Sequence, residues 1–183
     1  EGPAAKMAKT LSSDTEFTVE GWIARQLTCL QKTMEGLDRG AFYEAIRVIL
    51  GAHRVFIHAK SASASLGQLL FFRLRRLGLE VVLLPSGGSE VLEGLAQAGE
   101  GDAVVMFSFS KLSSEGKMIL RRQLEAGYRT IAFCSRSFIP EEERADIQLF
   151  AYRGESGEYH SMTGAAAMVD ALAVAVSEQM GSE

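Results

Sequence analysis

Two short stretches of this chain concentrate side chains that can hold an anion. The first runs from Ala59 to Ser65, AKSASAS, with Ser61, Ser63 and Ser65 beside Lys60. The second runs from Phe107 to Gly116, FSFSKLSSEG, with Ser108, Ser110, Ser113 and Ser114 around Lys111. Each follows an apolar, β-rich run and precedes a helical pattern. A helix N-terminus offers free N–H groups and the positive end of its dipole, which suits a phosphate. Serine hydroxyls add donors without crowding the anion, and each lysine adds a formal charge. A phosphorylated small molecule is the guest this chemistry fits. Capping is the alternative reading, since Ser63 and Ser113 stand where helices begin and serine is a favoured N-cap. Seven serines across two loops exceed what two caps need.

Residues for proton transfer are sparser. Glu90 opens a helix after the second strand and is the best-placed carboxylate; complementing the helix dipole is its ordinary role. His160, just before the last helix, is the best-placed histidine. His53 precedes the first strand, at the wrong end of a sheet, and His58 closes that strand. If the chain were an isomerase, Glu90 and His160 would be its acid–base pair; otherwise no catalytic residue is expected. No metal site and no cofactor are expected either. No G-x-G-x-x-G follows the first strand, and no G-x-x-x-x-G-K-S/T loop occurs. PSGGSE, Pro85 to Glu90, is Gly-rich but lacks the lysine, and reads as a turn before a helix capped by Ser89.

The elements that position these loops follow from periodicity. Apolar residues at helical spacing predict a helix from Thr18, as N-cap, to Leu37, and a second one capped by Asp38 and ending near Gly51. Five apolar runs follow: 54–59, 80–85, 102–109, 129–135 and 145–151. Helical patterns at 63–78, 89–99 and 113–127 separate the first four, and a last helix spans 161–180. Glu141 to Glu143 after Pro140 read as a short helical turn. Strands alternating with helices imply crossovers and a parallel sheet, and near-continuous apolar strands imply cover on both faces. The expected fold is a three-layer α/β/α sandwich with a five-stranded parallel sheet, preceded by N-terminal helices. Ligands in such sheets bind beyond the strands' carboxyl ends, where strand order reverses. Residues 1–17 show no sustained period and read as a flexible N-terminal segment or expression remnant; residues 18–183 read as one domain with a helical extension.

Composition excludes several classes. The 183-residue chain is 47% hydrophobic and carries a net charge of −4, a poor balance for direct contact with nucleic acid. No run reaches the roughly 20 apolar residues of a membrane helix, and no secretory signal is visible, so a cytoplasmic location is expected. Cys29 and Cys134 read as small buried hydrophobes rather than a disulfide. The basic runs Arg73–Arg76 and Arg121–Arg122 read as solvated helix faces.

Taken whole, the pattern from about residue 40 to 180 resembles SIS (sugar isomerase) domains. VFIHAKSASASLGQLLFFRLRRLG, from Val55, is similar to the family's first strand, loop and helix, where a G-x-G-S-S type loop is usual. Ser108 to Ser113 fall on its S-x-S-G-x-T motif, after Gly101-Asp102 and the strand AVVMF. GYRTIAFCSR and ADIQLF match its fourth and fifth strands. GEYHSMTGAAAMVDALAVAV resembles the closing segment of SIS domains in RpiR-type transcriptional regulators. The resemblance implies a flavodoxin-like strand order and a sugar phosphate held by Ser63, Ser108, Ser110 and Ser113, with Ser61 and Lys111 beside them. It also implies an effector-sensing, dimerising domain whose DNA contacts lie in a helix-turn-helix module, which does not precede residue 40 here. A stand-alone phosphosugar isomerase and an interaction module without ligand are the alternatives. Four family positions differ: Ala59 and Ser61 replace glycines in the first loop, Ala62 replaces the serine that follows, and Lys111 replaces the glycine of the second. Lys111 either closes the anion cradle or completes it.

Overall fold

The computed structural model describes residues 2–11 and 16–181. Five strands, β1 (Val55–His58), β2 (Val81–Leu83), β3 (Ala103–Phe107), β4 (Arg129–Cys134) and β5 (Ile147–Phe150), form one sheet in the order β2-β1-β3-β4-β5. Every neighbouring pair is parallel. Strand order therefore reverses between β1 and β3, and the loops leaving these two strands are the serine loops.

The described residues form seven helices: α1 (Pro3–Leu11), α2 (Val19–Glu35), α3 (Arg39–Gly51), α4 (Ala64–Arg76), α5 (Ser89–Leu95), α6 (Ser114–Ala126) and α7 (Thr163–Met180). α3, α4 and α7 cover one face, where Ile46, Leu70, Leu74, Val169 and Leu172 pack on Ile57, Val105, Ile131 and Leu149. α5 and α6 cover the other, where Leu95 and Ile119 pack on Phe56, Val104 and Met106. Strands with both faces buried need apolar residues at successive positions, which is why β1 and β3 read as continuous runs.

The predicted elements form, with differences at their ends. Thr18 and Asp38 cap α2 and α3 by accepting from the N–H groups of Gly21 and Ala41. Gly127 ends α6 in the left-handed conformation, φ 79°. Two expected caps do not cap. Ser63 makes no capping hydrogen bond, because a 3-10 turn over Ser61–Ser63 leads into α4 and leaves it helical. α5 is capped by Gly88 at φ 84°, not by Ser89. The acidic stretch Glu141–Glu143 forms a 3-10 turn.

α1 was not legible as a periodic stretch. Within the segment 1–17, residues 1 and 12–15 lie outside the described residues, while Pro3–Leu11 is helical. α1 is tied to the far end of the chain by the Tyr159 N–H, which donates to Thr10 Oγ1 at 2.8 Å.

The edge of the sheet opposite the serine loops is pinned by Asp102, 4% exposed. Arg54 donates to both its carboxylate oxygens, at 3.3 and 2.9 Å, and the Gly99 N–H donates at 3.0 Å. Burial pushes the Asp102 carboxyl up, but these donors outweigh it and hold the group below its ordinary range. Asp102→Asn leaves the Arg54 cation without its counter-charge. Urea denaturation should show a loss of about 2–3 kcal/mol, and an unchanged midpoint would remove Asp102 from this role.

Candidate functional site

The first serine loop is set by a close approach of α4 to β1. A Cβ at Gly67 would stand 2.7 Å from the Ala59 Cβ, so only glycine lets the first turns of α4 settle on the strand end. Chain direction changes abruptly here, and Ser61 absorbs the change at φ 55°, the one non-glycine residue with positive φ among those described. The family pattern places a glycine at this position, and the backbone shows why. Lys111 is the converse case: its φ is not positive, so the second loop has no conformational need for glycine there.

The second loop is anchored by its neighbours. Phe107 stacks on Phe133 at 4.8 Å and also meets Phe109. Ser135 donates from Oγ to the Phe109 carbonyl at 2.7 Å. Leu112 is buried beneath the start of α6, which turns Ser110 and Lys111 outward into solvent. Ser113 Oγ accepts from the Gly116 N–H at 3.0 Å and so caps α6. Ser108, 7% exposed, is different: its Oγ is shut off from solvent and has no hydrogen-bond partner among the described residues.

The two loops meet through a contact that neither loop reveals alone. Lys60 Nζ donates to both carboxylate oxygens of Glu115, at 3.0 and 3.1 Å. Ser114 Oγ donates to the same carboxylate at 3.1 Å. Glu115 also folds back onto its own N–H; this bond first, then Lys60 and Ser114, holds its carboxyl down at about 2. An internal carboxylate thus sits at the positive end of α6, and the charge of Lys60 is matched. The turn 85–88 forms a third wall: His58 donates from Nε2 to the Ser86 carbonyl at 3.3 Å, and a Cβ at Gly87 would lie 3.4 Å from Glu115 Oε1. Burial holds the His58 imidazole below its ordinary range.

Of the six residues expected to bind ligand, Ser61, Ser63, Ser108, Ser110, Lys111 and Ser113 all lie on the two loops leaving β1 and β3. Ser113 is a cap, and Lys111 is exposed without an ion pair among the described residues. Glu90 and His160 are not brought together. Glu90 follows β2 and His160 follows β5, the two edge strands, with three strands between them. Glu90 is exposed in the first turn of α5. His160 is held below its ordinary range by burial first and then by Arg153 and Lys6. Sequence reasoning missed Glu115. An acid in the first turn of a helix was visible, but its partner lies 55 residues away. Among the described residues, no three His, Cys, Asp or Glu side chains are placed to hold a metal ion, and no helix is long and apolar enough to cross a membrane.

Two predictions follow from this geometry. The folded state holds Glu115 at about 2 against an ordinary 4.5, so its interactions stabilise the fold above about pH 4.5 and are lost as pH falls toward 2. Wild type and Glu115→Gln should differ by roughly 1 kcal/mol at pH 7 in urea, after allowance for the exposed Lys60, and converge near pH 2; a pH-independent gap would contradict the ion pair. Ser61→Gly relieves the left-handed backbone. Its melting midpoint should rise, by roughly 0.5–1 kcal/mol in stability, whereas Ser61→Ala should not raise it.

Comparison with known proteins places this geometry in a family. No curated protein matches the chain in sequence. Among solved structures, the sugar isomerase domain of an RpiR transcription factor from Sphaerobacter thermophilus superposes with TM-score 0.78 at 24% identity, covering 86% of this chain and 88% of that one. The Vibrio vulnificus NanR protein complexed with ManNAc-6P gives 0.77 at 20% identity; 94% of this chain is matched, spanning 66% of that chain. The protein c3406 of E. coli CFT073, in complex with A5P, gives 0.72 at 18% identity, with 89% of each chain covered. These likenesses establish the shared fold. The sequence model of the SIS domain matches residues 48–175, from α3 through most of α7, and the chain belongs to the SIS domain family.

Proposed function

We propose that this chain is the phosphosugar-sensing, dimerising effector domain of an RpiR-type transcriptional regulator, with DNA contacts made by a helix-turn-helix segment outside it. One observation carries the ligand part: two serine loops face each other at the point of strand reversal, with the Ser108 hydroxyl buried and unpartnered among the described residues. A buried hydroxyl without a partner is costly unless something completes it. Ser61, Ser63 and Ser110 supply further hydroxyls, and Lys111 supplies an uncommitted charge at the rim. Similarity to an RpiR transcription factor and to NanR, complexed with the sugar phosphate ManNAc-6P, supports the same reading.

The separation of Glu90 from His160 weighs against an isomerase built within one subunit. Glu115 does not replace them, because a carboxyl held at about 2 is a weak general base near neutral pH. The alternative of a module that has lost its ligand is favoured by one contact, the Lys60–Glu115 pair, which commits the first loop's cation. In the sensing reading, a ligand phosphate competes with Glu115 for Lys60.

Dimerisation fits the outer face of α2, where Val19, Ile23, Leu27 and Met34 are 54–63% exposed and recur at helical spacing. Ligand would then favour one arrangement of the two subunits over another and so change the spacing of the attached DNA-binding segments.

A thermal-shift screen tests the reading. A sugar phosphate at about 100 times its Kd adds about 2.7 kcal/mol, a rise of roughly 5–10 °C for a chain of this size. The unphosphorylated sugar should give none, and Ser108→Ala should reduce the rise. No shift with any sugar phosphate would favour the ligand-free module. Turnover of a ketose phosphate that is lost in Glu90→Gln would favour the isomerase.

A further inference from the structure

A second charged region lies away from the serine loops, between α2 and the loop joining β5 to α7. It holds a half-open cavity of about 230 Å³, lined among others by Trp22, Arg25, Lys32, Arg153, Glu155 and Glu158. Two of its three cations are matched. Arg25 pairs with Glu158 at 3.2 Å, and Lys32 pairs with Glu155 at 3.2 Å while also donating to Tyr152 Oη. Gln26 and Ser161 bond to each other.

Arg153 is the exception. Its guanidinium lies 4.3 Å from the centre of the Phe109 ring and has no carboxylate partner among the described residues. Its Nε–H is shut off from solvent and meets no acceptor among the described residues. Burial lowers the affinity of this side chain for its proton, with no opposing carboxylate to restore it. The field of the unmatched charge reaches His160, whose imidazole is held below its ordinary range by burial first and then by Arg153 and Lys6. A mostly buried cation without a counter-charge costs stability, so the structure tolerates here an expense that a bound anion would remove.

We propose that the cavity between α2 and the β5–α7 loop is a second anion site, in which Arg153 receives a small oxyanion, a phosphate or a carboxylate. Size argues for a small guest, because about 230 Å³ lies below the roughly 300–1,000 Å³ of pockets that take drug-sized ligands. The planar guanidinium suits the paired oxygens of either group. Arg25 and Lys32 stand on the same wall and are 43% exposed, free to turn from their carboxylates toward a guest. The site is separate from the serine loops but not isolated from them. Phe109, whose ring carries the guanidinium, lies between Ser108 and Ser110, so an anion that draws Arg153 away would shift the second loop's footing. This inference does not rest on sugar-phosphate sensing.

Trp22 is the single tryptophan of the chain and lines this cavity, so its fluorescence reports the site directly. The full chain is titrated with potassium phosphate, and separately with potassium acetate and potassium chloride at matched ionic strength. Phosphate or acetate should produce a saturating change that chloride does not. The apparent Kd should weaken at least tenfold in Arg153→Met, which keeps the stem over Phe109, and severalfold in Arg153→Lys. It should be unchanged in Ser110→Ala. Equal responses to all three salts, or an unchanged Kd in either Arg153 variant, would overturn the proposal. So would a response lost in Ser110→Ala but kept in Arg153→Met, which would assign the binding to the serine loops. Should Arg153→Met fail to show a native circular dichroism spectrum, Arg153→Lys alone decides.

Discussion

Everything at the functional edge depends on the burial of β1 and β3 on both faces. A strand with no solvated side must be covered twice, and a parallel neighbour must be reached by a crossover. α4 leaves β1 on one face and α6 leaves β3 on the other, with the strands adjacent in the sheet. Both helices therefore begin at the same edge. The serine loops stand together because the core allows no other place for them, and the anion-binding character of that edge follows from the two helix N-termini.

Electrostatics then divides the edge into two regions with opposite accounts. At the serine loops the first loop's cation is matched: Lys60 is held by Glu115, which also accepts from its own N–H in the first turn of α6. An incoming phosphate must compete with an anion the protein already supplies, so affinity here depends on how readily Glu115 yields. Beyond β5 the balance reverses. Arg25 and Lys32 have their carboxylates, while Arg153 has only the face of Phe109. Phe109 belongs to the β3 loop, so a single aromatic ring joins the region where Lys60 and Glu115 match each other to the region with a surplus guanidinium. Their positions on one edge make the β3–α6 loop the element that both kinds of anion would move.

The N-terminal helices extend this arrangement outward. α2 packs on α7, and Thr33 fixes it to the chain beyond β5 by accepting from the Tyr152 N–H at 3.0 Å. A Cβ at Gly164 would stand 2.6 Å from Thr33 Oγ1, so the close seat of α2 on α7 is itself written into a glycine. With that side of α2 buried, Val19, Ile23, Leu27 and Met34 are left facing solvent. The helix is amphipathic twice over, which its periodicity alone did not separate into an inner and an outer stripe.

From α2 onward the sequence by itself determined the elements, their order and the fold class, because the burial of successive apolar residues and the turns at Gly78 and Gly127 are local properties; α1 escaped it. It also located the serine loops, since strand-to-helix junctions are visible as changes of period. It did not decide what each serine does. Ser113 caps a helix, Ser63 does not, and Ser108 is left without a partner among the described residues, although all three are serines in strand-to-helix loops. Nor could it show that Lys60 is spent on Glu115 or that Arg153 is unmatched. Pairing between charges is a matter of distance in space, and residues 55 positions apart become neighbours only when the sheet brings their loops together. Local periodicity fixes the scaffold; the balance of charge at its edge exists only after the crossovers close.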